Sequence, residues 1–150
     1  MKLTGSSTCS PAAYRFMDKA GLEYAGDGCL VLSNATSSTI GPLKVTGGEV
    51  RLCKGALWSN CTNIIVANSG KLTLGKEVAA ARVFPENAVV DILGGGTIEI
   101  PEDETVTVGW LNVDGTSMMK GNYSNNFITG GGTLRVLKTL RMTGFLILIK

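Results

Sequence analysis

The sequence predicts an all-β chain wound as a parallel solenoid, a β-helix of about five coils, and three observations carry that prediction. A five-residue unit recurs along it: glycine, any residue, an aliphatic, any residue, an aliphatic. The alternation inside each copy has period two, as a strand with one buried face requires. Between the copies nothing has the length or apolar periodicity of a stable helix. Asp18–Ala20 and Glu77–Val83 are the only candidates, and both are too short to stand alone.

The first copy is Gly28-Cys29-Leu30-Val31-Leu32 and the second Gly48-Glu49-Val50-Arg51-Leu52. The third is Gly70-Lys71-Leu72-Thr73-Leu74, and the fourth Gly96-Thr97-Ile98-Glu99-Ile100. Gly132-Thr133-Leu134-Arg135-Val136 is the fifth. Aliphatic residues should face inward, leaving Glu49, Arg51, Lys71, Thr73, Thr97, Glu99, Thr133 and Arg135 outside. If each copy stacks on the next, Glu49 lies beside Lys71 and Glu99 beside Arg135. The glycine spacings of 20, 22, 26 and 36 drift upward, so the unit is structural and the connections vary freely. Gly47, Ser69, Gly95 and Gly131 precede the key glycines, and such pairs mark sharp turns with unusual backbone angles.

Further strands are expected between the copies at Leu43–Val45, Asn63–Val66, Ala88–Leu93 and Thr105–Val113. Strands at 20–26-residue periods with no intervening helix favour a solenoid. An antiparallel sandwich is the competing fold, and Asn-Gly hairpin turns would favour it. None occurs; the nearest pairs are Asp27-Gly28 and Asp114-Gly115. The expected organisation is a lead-in or cap over 1–21, β-helix repeats over 22–138, and a C-terminal strand or cap over 139–150.

Composition removes several function classes. The 150 residues include 20 glycines and no histidine, which excludes histidine triads, histidine general bases and histidine metal ligands. A net charge of +2 gives no strong pull toward nucleic acid, and no such partner is expected. No run of apolar residues reaches the length of a transmembrane helix. Met1-Lys2-Leu3 leads into polar Thr4-Gly5-Ser6, so no signal peptide is visible. Either the protein is cytosolic or Met1 is not the natural start.

Candidate sites are few. Cys53 and Cys61 could close a small disulfide loop in an oxidising compartment; otherwise they are free thiols that pack as small hydrophobes. Trp58, Trp110 and Tyr123, with Phe127, are the aromatics placed to stack on a sugar, with burial as caps the alternative. Glu102-Asp103-Glu104 offers the oxygen donors calcium takes, although a solvated turn is the expected reading. Asp91, Glu99, Asp103 and Asp114 would matter for glycoside chemistry only at defined separations. The Gly94–Thr97 and Gly130–Thr133 runs lack the ending of a phosphate loop and read as turns. Asn34, Asn60 and Asn122 match glycosylation acceptors, as chance allows in a chain rich in Asn, Ser and Thr. No catalytic residue, metal ligand or cofactor is expected.

Charge is uneven. Residues 115–150 hold five basic residues and no acid. The apolar run Phe145–Ile149 should be buried as a terminal strand covering the open end of the solenoid.

The stretches Ile40–Leu52 and Asn63–Leu74 resemble the autotransporter-associated β-strand repeat, and Leu30–Asn34 looks like the strand that opens each repeat. Gly94–Ile100 through Thr107–Gly115, then Gly121–Tyr123 and Ile128–Val136, are similar to the segment that often closes such arrays. The resemblance implies a right-handed parallel β-helix, export, and a scaffold role in a secreted or cell-surface bacterial protein, and it supplies no catalytic residues. This chain departs from the family in its short length, its lack of a visible signal and its cysteines. The expected function is therefore a structural scaffold segment. The alternatives are a carbohydrate-binding or adhesin module and a polysaccharide lyase or hydrolase of the β-helix type. The partners expected are glycan, further repeats of a longer chain, or a second copy stacked end to end.

Overall fold

The computed structural model describes residues 2–3, 21–33, 41–54, 56, 58–79 and 82–139. Most of the proposed lead-in, all but Thr139 of the proposed C-terminal cap, and the expectation for Phe145–Ile149 lie outside the described residues.

The chain is a parallel β-solenoid of about four turns. Its strands in order are β1 (Lys2–Leu3), β2 (Leu22–Leu32), β3 (Leu43–Leu52), β4 (Asn63–Ala67), β5 (Lys71–Leu74), β6 (Val89–Leu93) and β7 (Thr97–Glu99). Then come β8 (Thr105–Val108), β9 (Trp110–Val113), β10 (Thr116–Ser117), β11 (Gly121–Tyr123), β12 (Ile128–Thr129) and β13 (Thr133–Val136). One helical turn, α1 (Lys76–Ala79), overlaps the start of the helix candidate Glu77–Val83.

Each coil has a first face and a second face that meet at a corner. On the first face Leu22, Leu43, Ile64, Val90 and Leu111 stack in parallel register. On the second, Leu30, Val50, Leu72, Ile98 and Ile128 do the same. Both columns point inward and every member is at most 3% exposed, so the aliphatic alternation becomes a continuous core. In the first two coils one strand, β2 or β3, bends through the corner and serves both faces. In the next two the corner is a turn, Asn68-Ser69-Gly70 and Gly94-Gly95-Gly96.

The corners explain the key glycines. Asn68 and Ser69 have φ of 52° and 60°, and Gly94 and Gly95 have 54° and 77°. At these two corners the left-handed angles belong to the two residues before the key glycine, whereas in the second copy the key glycine Gly48 is itself left-handed, at φ 53°. The key glycines of the third and fourth copies answer a different demand, close approach: a Cβ on Gly96 would lie 2.2 Å from the Val66 carbonyl oxygen of the coil beneath. The corners also bond to one another, with Asn68 N–H donating to Leu93 O at 3.2 Å and Ser69 N–H to Gly94 O at 3.1 Å.

A third side closes each coil. In the middle coils it is irregular, and Trp58 N–H donates to Val83 O at 2.9 Å. In the last coils it becomes a three-stranded sheet in which β13 pairs parallel with β8 and antiparallel with β11. The fifth glycine copy lies here. It does not stack on the fourth: β7 is covered by β12, with Ile98 beside Ile128. The expected neighbourhood of Glu99 and Arg135 therefore does not form. The 36-residue spacing before the fifth copy contains an excursion, and that displaces the copy by one side of the coil. The segment expected as a single strand over Thr105–Val113 breaks at Gly109 into β8 on the third side and β9 on the first face.

The excursion starts at Asp114-Gly115, where φ is 47° and 78°. Thr116 returns opposite Val113, so β10 pairs antiparallel with β9 across a two-residue hairpin. Asp-Gly is thus a hairpin turn here, inside a solenoid rather than a sandwich. Strands β10 and β11 lie at the outer edges of the first-face and third-side sheets, and their antiparallel pairing covers backbone that a further parallel coil would otherwise fill.

Candidate functional site

The residues singled out for sugar stacking are not brought together. Trp58 is 0% exposed and belongs to the core, so it offers no face to a ligand. Its backbone forms part of the third side, which is why a residue expected near a loop turns inward. Trp110 stands on the first face, partly exposed, with Lys138 Nζ 4.4 Å from its ring centroid. Tyr123 lies on β11 in the other sheet; its hydroxyl donates to Met119 O at 2.6 Å, and its ring sits 6.1 Å from Phe127. Two of the three aromatics therefore already have a protein partner on the ring.

Cys53 and Cys61 are free thiols, as is Cys29. Cys61 is buried, and its Sγ donates to Asn63 O at 3.3 Å. Burial pushes the Cys61 thiol above its ordinary pKa, against the opposing effect of backbone hydrogen bonds at Asn63 and Leu43. Cys29 is half-buried opposite Glu49; burial first, then the Glu49 charge, raise its pKa.

The four carboxylates sit on different parts of the coil. Asp91 accepts from Asn112 Nδ2 at 2.7 Å on the first face, its cross-strand neighbour. Glu99 pairs with Lys71 on the second face. Asp103, at φ 65°, lies in a turn closed by Glu104 N–H donating to Pro101 O at 3.1 Å. Asp114 Oδ1 accepts from Gly94 N–H at 2.9 Å. Asp91, Glu99 and Asp114 are each tied to a local structural partner. Among the described residues no group of three or more His, Cys, Asp or Glu side chains is placed to hold a metal. No helix among them is long and apolar enough to cross a membrane.

The outer second face is a lattice of paired charges. Glu49 lies beside Lys71 in register, as expected, but the pairs that form are Glu49 with Arg51 at 3.0 Å and Lys71 with Glu99. Burial works against the Glu49 charge. The nearby Thr73 hydroxyl and the Arg51 hydrogen bonds outweigh it and hold the carboxyl below its ordinary value.

The third side differs. A cavity of about 400 Å³ opens between the Arg82–Glu86 segment, β8 and Arg135. A second, of about 430 Å³, adjoins it and shares Thr105 and Arg135, continuing to Lys120 and Asn122. Register sets the order across the strands: Thr107 lies beside Arg135, and Arg135 beside Asn122. Together they make a trough along the solenoid axis. Arg82 and Glu86 form an exposed pair at 3.5 Å. Among the described residues neither Arg135 nor Lys120 forms an ion pair. Sequence reading missed this trough because it set Arg135 beside Glu99, which would have neutralised it. The legible signal was the outward Thr-x-Thr of β8 and Thr-x-Arg of β13.

No family model, curated protein or solved structure matches the chain.

Proposed function

We propose that the chain is a structural β-helix segment of a secreted or cell-surface bacterial protein, a stiff scaffold rather than a catalyst. The observation that carries this reading is the pair of inward aliphatic columns running in unbroken parallel register across both main faces. Stacked ladders of this kind resist bending because each rung is hydrogen-bonded to its neighbours along the axis. The resemblance to autotransporter-associated repeats supports export, with further repeats or a second copy as neighbours along the axis. Protease shaving of intact source cells tests the location: peptides from this chain should appear in the shaved fraction. Their recovery only after lysis would overturn it.

A further inference from the structure

We propose that the third-side trough binds an acidic polysaccharide, one that carries a carboxylate on its sugar units. This goes beyond the scaffold reading, because a rod can serve as one without presenting any ligand site. Three features of the trough select the ligand. Its cations are spaced along the axis, from Arg82 through Arg135 to Lys120, with hydroxyl and amide groups from Thr105, Thr107 and Asn122 between them. Arg135 lies at the junction of the two cavities, flanked in register by Thr107 and Asn122. Its guanidinium can take a carboxylate through two parallel N–H donors while the neighbours bond sugar hydroxyls. Successive strands are about 4.8 Å apart, close to the length of one pyranose unit, so a polymer laid along the axis meets a new strand with each sugar.

The lining argues against a nucleic acid. Stacking platforms are what single strands require, and the nearby rings are already engaged: Tyr123 packs with Phe127, and Phe84 is only 4% exposed. The trough is open at the surface, which suits a long chain lying lengthwise.

The test is calorimetric titration of the full chain with polygalacturonate, with neutral dextran, dextran sulfate (charged but without carboxylates) and duplex DNA as comparators. Polygalacturonate should bind, and Arg135→Gln should weaken it about tenfold. Arg135→Lys keeps the charge but loses the planar fork, and should fall between wild type and Arg135→Gln. Lys44→Gln removes a cation from the first face and should leave binding unchanged. Circular dichroism melts confirm that each variant folds; if Arg135→Gln does not, Arg135→Lys carries the test. Three results would overturn the proposal: no binding of polygalacturonate by the wild type, an equal loss in Lys44→Gln, or dextran sulfate, DNA or dextran binding as tightly as polygalacturonate. None of these bears on whether the chain reaches the cell surface, so the scaffold reading stands or falls separately.

Discussion

Residues 96–100 and 132–136 carry the same five-residue pattern yet build different sides of the coil. Both follow two glycines with left-handed backbone: φ is 54° and 77° at Gly94 and Gly95, and 87° and 86° at Gly130 and Gly131. At both key glycines a Cβ would collide with a backbone carbonyl oxygen, 2.2 Å from that of Val66 at Gly96 and 2.3 Å from that of Pro101 at Gly132. Both send alternate aliphatic side chains inward. What differs is the neighbour: β7 lies against β5 and β12 on the second face, whereas β13 lies against β8 and β11 on the third side. The pattern thus specifies a corner followed by a strand. Which corner it makes depends on how much chain precedes it, and the hairpin excursion after Val113 moves the fifth copy on by one side.

The sharpest way to break this comparison is to fill both corners. Gly96→Val places a branched side chain against the backbone of the coil beneath, in the middle of the stack, where no neighbour can give way. Its expected outcome is loss of the cooperative urea transition. Gly132→Val meets the same contact near the end, where rungs can fray independently. That variant should stay folded, with a lowered midpoint. Equal severity in the two would show that the rungs do not act as a nearest-neighbour stack.

Truncating the core columns separates the two regions next. Leu72→Ala opens a cavity between covered rungs and should cost about 3–5 kcal/mol. Leu134→Ala lies in the three-stranded sheet near the end, where relaxation is easier, and should cost about 2–3 kcal/mol. Chemical denaturation measures both. A smaller effect is expected at the excursion itself. Asp114→Ala removes the acceptor for Gly94 N–H and leaves alanine at φ 47°, a loss of about 1 kcal/mol.

Much of the fold was readable because its rules are local. The alternation in copies one to four identified the second face and its register, and the Glu49–Lys71 neighbourhood follows from it. The strands between the copies became the first face for the same reason. The third side was hidden because it is irregular through the middle coils. Trp58 therefore looked like a loop aromatic although it is core. Arg135 was misplaced because a repeat invites the assumption that every copy stacks on the one before, and chain length between copies carries no periodic signal. That one error concealed the trough, since an Arg135 paired with Glu99 would be a neutral surface.

The charge contrast between the two outer surfaces gives the smallest effect. On the second face Glu49 is held below its ordinary value of 4.5: burial raises it, but the nearby Thr73 hydroxyl and the Arg51 hydrogen bonds lower it by more. A depressed folded-state pKa contributes stability above the unfolded value and loses it as pH falls through the folded one. Glu49→Gln should therefore be less stable than wild type at neutral pH by under about 1 kcal/mol, because the pair is partly solvated. The two proteins should converge as pH drops below 4.5, the direction the lowered carboxyl sets. Urea unfolding on both sides of that pH measures the gap. Arg135→Gln, with no acid partner among the described residues, should show a pH profile parallel to wild type across the same range. A gap for Glu49→Gln that persists in acid would assign its effect to packing instead of charge, and a pH-dependent gap for Arg135→Gln would show that the trough already holds a carboxylate of the chain's own.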